Sequence, residues 1–179
     1  MRISLDTKTR YFEVTVWPHV RSAYNFARWL VRNNHDAEDV VQEAFLKAFK
    51  SIESFRGGDA RAWVLSIVRN TALNFLARRK PDERGEWTAE DNEPADRLPN
   101  PEREILQHAR REEVRRALAR LEPEFRDVIV LREIEDLSYK EIAAVLDIPI
   151  GTVMSRLSRA RQRLLMELKP IHEVRYDLP

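Results

Sequence analysis

Thr152, Ser155, Arg156, Arg159 and Arg163 fall at i, i+3, i+4, i+7 and i+11, the spacing of one helix face. Residues 151–163 hold four arginines and no acid. A guanidinium fork bonds guanine edges or grips phosphates, and Ser or Thr hydroxyls reach either. Ordinary solvated helix faces mix charge signs, so this one points to DNA. A second group is Phe55, Arg56, Arg61, Trp63, Arg69, Asn70, Asn74, Arg78 and Arg79. Rings interleaved with Arg and Asn are the ingredients of a single-strand site, where bases stack and phosphates meet cations. Trp63 and Phe75 read first as core residues, while Asn70 and the arginines fit either a site or a solvated face. A third group, Asp36, Asp39, Gln42 and Glu43, shares one helix side. Its carboxylates fit a solvated face, a protein-docking surface or a metal site, although one helix face without histidine makes a poor cage.

Helices must position all three groups, because apolar residues recur at helical spacing and period-two alternation is absent. Phe12, Val16, Val20, Ala23, Ala27 and Leu30 form a first stripe, with Pro18 near a helix start or kink. Asp36 is expected to cap a helix carrying Val40, Val41, Ala44, Phe45, Ala48 and Phe49. Gly57 and Gly58 interrupt the pattern. Asp59 then caps a helix with Trp63, Val64, Ile67, Val68, Thr71, Phe75 and Leu76 inward and Arg78-Arg79-Lys80 at its end. Pro101 opens a helix with Ile105, Leu106, Ala109, Val114, Ala117, Leu118 and Leu121. Pro123 suits the first position of the next, which buries Phe125, Val128, Ile129 and Leu131. Ser138 with Glu141 is a capping box. Asp147 to Gly151 is expected to turn, and a last helix to run from about Thr152 to Leu165 with Val153, Leu157, Ala160 and Leu164 inward. Two short helices across a tight turn make a helix-turn-helix, whose second helix enters the major groove.

Composition sets the limits. The 179-residue chain has no cysteine, which removes disulfides, thiolate metal sites and a cysteine nucleophile. His19, His35, His108 and His172 are isolated in sequence, and no nucleophile–base pairing is visible, so an enzyme is not expected. Nor is a metal or cofactor. No apolar run approaches the ~18 residues of a membrane span, and the first ten residues lack a signal-peptide core. The expectation is a soluble cytoplasmic protein. The net charge of +1 hides an uneven distribution. Residues 1–80 carry +6, residues 81–102 carry −6, and residues 103–179 carry +1. The middle stretch also holds Pro81, Pro94, Pro99 and Pro101, so it reads as an acidic linker between two small all-α domains, 1–80 and 103–179.

In combination, DAEDVVQEAFLKAF, SFRGGDARAWVLSIVRNTALNFL and LSYKEIAAVLDIPIGTVMSRLSRARQRL resemble the extracytoplasmic-function group of sigma factors in the sigma-70 family. The resemblance runs from about Tyr11 to Leu168. It implies a non-catalytic promoter-recognition subunit of RNA polymerase, with residues 1–80 as region 2 and 103–179 as region 4. Asp36, Asp39, Gln42 and Glu43 match the helix that docks on the β′ clamp helices of core polymerase, and the resemblance implies the β subunit as a further partner of the protein. Phe55, Arg56 and Gly57 match the loop that captures a flipped base of the −10 element. Arg61, Trp63, Asn70, Asn74 and Arg78 lie with them on the −10 side. Thr152, Ser155, Arg156, Arg159 and Arg163 match the −35 reader, with Met154 standing where many relatives carry Lys or Arg. The resemblance further implies promoter DNA and an anti-sigma factor as partners.

Overall fold

The computed structural model describes residues 5–79 and 101–173, and the side chains of 5–79 and 109–168. Every regular element among them is helical. The first half contains α1 (Leu5–Thr15), a 3-10 turn (Trp17–His19), α2 (Val20–Val31), α3 (Asn34–Ser51), a second 3-10 turn (Ile52–Ser54) and α4 (Ala60–Arg78). The second contains α5 (Pro101–Arg120), α6 (Pro123–Ile129), a π-helical turn (Val130–Ile134), α7 (Tyr139–Leu146) and α8 (Ile150–Glu173). The linker expected over 81–102 lies outside the described residues except for its last two, whose backbone opens α5. Ile105, Leu106, His108 and His172 also fall outside the described side chains.

Local chemistry explains most boundaries. Pro18 sits in the 3-10 turn that separates α1 from α2, where its missing N–H costs no helical bond. Asp59 accepts the Ala62 N–H at 2.7 Å and caps α4. The Ser138–Glu141 capping box is fully formed at the start of α7. Glu122 and Pro123 start α6 as expected.

Three expectations need correction. Asn33, not Asp36, caps α3, because its side-chain oxygen accepts the Asp36 N–H at 3.0 Å. Asp36 therefore lies one turn inside the helix. The last helix starts at Ile150 rather than about Thr152, because the Pro149 carbonyl already accepts the Thr152 and Val153 N–H groups. It also runs well past Leu165. Val114 and Val20, placed on apolar stripes, are exposed.

In the first half, Phe26, Ala27, Val31, Val40, Ala44, Val64, Leu65 and Val68 bring α2, α3 and α4 together. In the second, Val128, Leu131, Ile142, Val153, Leu157 and Ala160 seat α6, α7 and α8. The halves are in contact: α4 packs on α7, and α2 meets α6 and the π turn.

Candidate nucleic-acid and protein interfaces

The outward side of α8 carries the first group. Val153, Leu157 and Ala160 are buried, which turns Ser155 and Arg159 to solvent. Ser155 Oγ donates to the Thr152 carbonyl at 3.0 Å, while Thr152 and Arg156 are half-buried. The arginines are not equivalent. Arg156 is paired with Glu124 at 3.0 Å, and Arg163 is paired with Glu122 and lies over the Phe125 ring. The Arg163 hydrogen bond holds the Glu122 carboxyl below the usual carboxylate range. Arg161 is bound by Glu133 at 2.6 Å. Arg159 has no such ion pair among the described residues. Acids from α6 and the π turn thus clasp the flanks of α8 and leave Arg159 at its centre.

The second group does not stay together. The loop before α4 exposes Arg56 and Gly57, and Gly57 and Gly58 take φ of +87° and +97°, which side chains disfavour. Phe55 and Trp63 are half-buried and pack ring on ring, 5.0 Å apart, so the two aromatics support each other. Asn70, Asn74 and Arg78 form an exposed row on α4, joined by Leu73. Arg61 does not share that row, because its guanidinium meets Glu135 of the second half at 2.6 Å.

The third group also separates. Asp39 and Gln42 are exposed on α3. Glu43 pairs with Lys47 at 2.7 Å, and that hydrogen bond holds its carboxyl low, with Arg78 adding to the effect. The acidic face of α3 therefore adjoins the Asn70–Asn74–Arg78 row. Asp36 does not share the solvent face: it is buried and bonded to Arg79.

A surface that the sequence does not announce lies beside Gln42. Phe12, Trp17, Val20, Tyr24, Phe45, Leu46 and Phe49 line an apolar groove of about 510 Å³, with Glu38 and Gln42 at its rim. Trp17 and Leu46 are 59% and 58% exposed. Large apolar groups in one exposed groove mark an interaction surface. The only sequence signal is Leu46, an apolar residue on the outer side of α3.

Among the described residues, no three His, Asp or Glu side chains converge as a metal site. None of the described helices is long and apolar enough to cross a membrane.

Residues 16–81 match the family model for sigma-70 region 2, and residues 111–164 match that for sigma-70, region 4. The chain is 41% identical over 154 residues to the ECF RNA polymerase sigma-E factor of Haemophilus influenzae, covering 80% of this chain and 79% of the relative. The chain belongs to the sigma-70 family. Within that family it is an extracytoplasmic-function (ECF) sigma factor. The Escherichia coli ECF RNA polymerase sigma-E factor is 40% identical over 144 residues, 76% of this chain and 75% of the relative. Among solved structures, the sigma factor RpoE of Bartonella quintana, in complex with the anti-sigma factor NepR, superimposes with a TM-score of 0.72 at 29% identity, covering 88% of this chain and 96% of that one. CnrH in complex with the cytosolic domain of CnrY gives 0.64 at 28% identity, covering 90% of each chain. In this sigma factor, α2 to α4 fall in the region 2 match, and α6, α7 and most of α8 in the region 4 match.

Proposed function

We propose that this ECF sigma factor recruits core RNA polymerase to its promoters and acts there as a non-catalytic specificity subunit. Region 4 reads the −35 element through α8, with Arg159 and Ser155 at the base edges and Thr152, Arg156 and Arg163 beside them. Region 2 engages the −10 element through Phe55, Arg56, Gly57, Arg61, Trp63, Asn70, Asn74 and Arg78. The exposed Asp39 and the half-buried Glu43, with Gln42 and the neighbouring apolar groove, dock on the β′ clamp helices. Asp36 serves the same surface from inside, by fixing the start of α3. The functional units are residues 1–80, the acidic connector 81–102 and residues 103–179. The protein acts in the cytoplasm, where polymerase and promoter DNA are.

The observation that carries this reading is the outward face of α8, where Arg159 is exposed and unclaimed by the acids that hold Arg156, Arg161 and Arg163. A free guanidinium in the middle of a second helix of a helix-turn-helix is placed for major-groove readout. Two similar solved sigma factors are held by an anti-sigma factor or by the cytosolic domain of a partner protein, which supports an anti-sigma partner here.

In vitro transcription with core enzyme and a promoter library tests the assignment. Specific start sites that depend on this protein are expected. Their absence would remove the assignment. Transcription that is specific but insensitive to changes in α8 would move −35 recognition elsewhere.

A further inference from the structure

The helix assigned to −35 recognition also carries apolar side chains in the open. Ile150 and Met154, one turn apart at the start of α8, are 46% and 54% exposed. Single apolar residues scattered over a surface need no explanation. These two adjoin at i and i+4, at the end of the second helix that a helix-turn-helix presents to base edges. At about 100° per residue, the buried Val153, Leu157 and Ala160 point one way, and Gly151 and Ser155 point the opposite way. Arg156 and Arg163, held by Glu124 and Glu122, form one flank of that outward face. Ile150 and Met154 form the other, which Arg161 continues in its pair with Glu133. The face is therefore basic along one side and apolar at the start of the other.

The same end of α8 is bare at Gly151. This residue is exposed, its φ is not left-handed, and a Cβ added to it would meet nothing within 4 Å. Glycine weakens a helix relative to alanine, so the fold itself gains nothing from the missing side chain. A partner does. A helix with its side chains is about 10–12 Å across and the major groove is about 12 Å wide, so a helix end that enters it has little room to spare. The first turn of α8 also contains no acid that would repel phosphates on the way in.

We infer that the first turn of α8 selects thymine: Met154 and Ile150 lie against C5-methyl groups in the major groove of the −35 element, and bare Gly151 lets the helix end come close enough for that contact. This rests on the reading of α8 as the −35 reader. Among the bases, thymine alone presents a methyl group in that groove. The flexible, polarisable thioether chain of Met154 can follow such a group without a fixed geometry. Ser155 and Arg159 then take hydrogen-bonding edges of neighbouring base pairs, so the two kinds of readout divide one helix face between them.

The test uses the full chain bound to core polymerase. Promoter duplexes randomised over the −35 element are selected by this holoenzyme, and each thymine of the selected element is then replaced singly by deoxyuridine, which lacks only the methyl group. At one or two positions the replacement should weaken binding roughly three- to fivefold, the effect of one buried methyl. Met154→Ala should bind the thymine and deoxyuridine duplexes alike, both at about the weaker of the two parent affinities. Gly151→Ala should keep or raise the melting temperature of the protein and yet weaken binding of the selected duplex at least about fivefold. Both positions are exposed, so thermal denaturation should show neither variant less stable than the parent. A parent holoenzyme indifferent to every deoxyuridine, or a Met154→Ala variant that discriminates as the parent does, would overturn the methyl contact. Parent affinity for Gly151→Ala would overturn the close approach. Failure to select any −35 sequence would remove the −35 reading itself, whereas a selected sequence indifferent to deoxyuridine removes this contact alone.

Discussion

Arg79 Nη1 lies 2.6 Å from Asp36 Oδ2, tying the residue that ends α4 to the first turn of α3. The Asp36 side chain is 11% exposed and the Arg79 guanidinium also covers the Phe75 ring at 4.5 Å. The pair joins the helix assigned to polymerase docking to the helix assigned to the −10 element. It fixes their angle, and so the spacing of Asp39 and Glu43 from Asn74 and Arg78.

Removing one partner of this pair should therefore cost stability first. Asp36→Ala leaves a half-buried cation without its carboxylate, and a loss of about 1–3 kcal/mol is expected. In a chain of this size that lowers the melting temperature by about 2–4 °C per kcal/mol. Thermal denaturation of Asp36→Ala, Arg79→Ala and the double variant checks it. Additive losses would show that the two residues do not interact.

Charge reversal should act differently one turn along. Asp39 is exposed and has no ion pair among the described residues, so Asp39→Lys should leave the melting temperature within about 1 °C, as for a surface change. Affinity for core polymerase should fall at least about tenfold, or about 1.4 kcal/mol. Glu43→Lys is less clean, because it sets a cation beside Lys47 and Arg78 and should lose stability as well. Competition binding with labelled core enzyme separates the two effects. Wild-type affinity for Asp39→Lys would remove Asp39 from the docking face.

The arginines of α8 should also separate by experiment. Arg159→Ala should weaken binding to a −35 duplex by about 1–3 kcal/mol and leave scrambled duplexes nearly unaffected. Glu124→Gln should do the reverse. It releases Arg156 for phosphate, so binding to any duplex should tighten, and the slope of log affinity against log salt should steepen by about 0.9. Anisotropy titrations over a salt series check both. An equal loss on both duplexes for Arg159→Ala would make it a phosphate contact.

Much of this molecule is readable in its sequence where the cause is local. Asp59, Ser138 with Glu141, and Pro123 mark helix starts because a cap needs only its own next three residues. The same locality misleads at Asn33 and Asp36, two residues of equal capping ability within one turn, where backbone geometry chooses the first. The face of α8 is legible because its buried stripe fixes the opposite side. Arg126, Asp127 and Glu135 are not legible. Charged residues default to solvent, and these are buried only where two halves meet, as with Arg61 and Glu135, 74 positions apart. The groove around Trp17 and Leu46 is hidden for the opposite reason, since apolar residues default to the core.

Asp127 gives the sharpest pH prediction. Burial pushes its carboxyl up to about 6 from an ordinary 3.8, against the opposing pull of Arg126, Arg69 and Arg156. Between those values the folded protein holds a proton that the unfolded chain has released. Stability must then fall as pH rises through the window, by up to about 3 kcal/mol for a shift of roughly two units. Glu43 and Asp59, held low by their partners, work in the other sense and lose their contribution as pH falls. They are common to the parent protein and to Asp127→Asn, so the difference between the two isolates Asp127. Urea denaturation at pH 4, 5, 6 and 7 should show the parent losing ground to Asp127→Asn across the series, with little further change above pH 7. Parallel stabilities at all four values would mean that Asp127 keeps its charge in the fold, and that its arginine neighbours outweigh its burial.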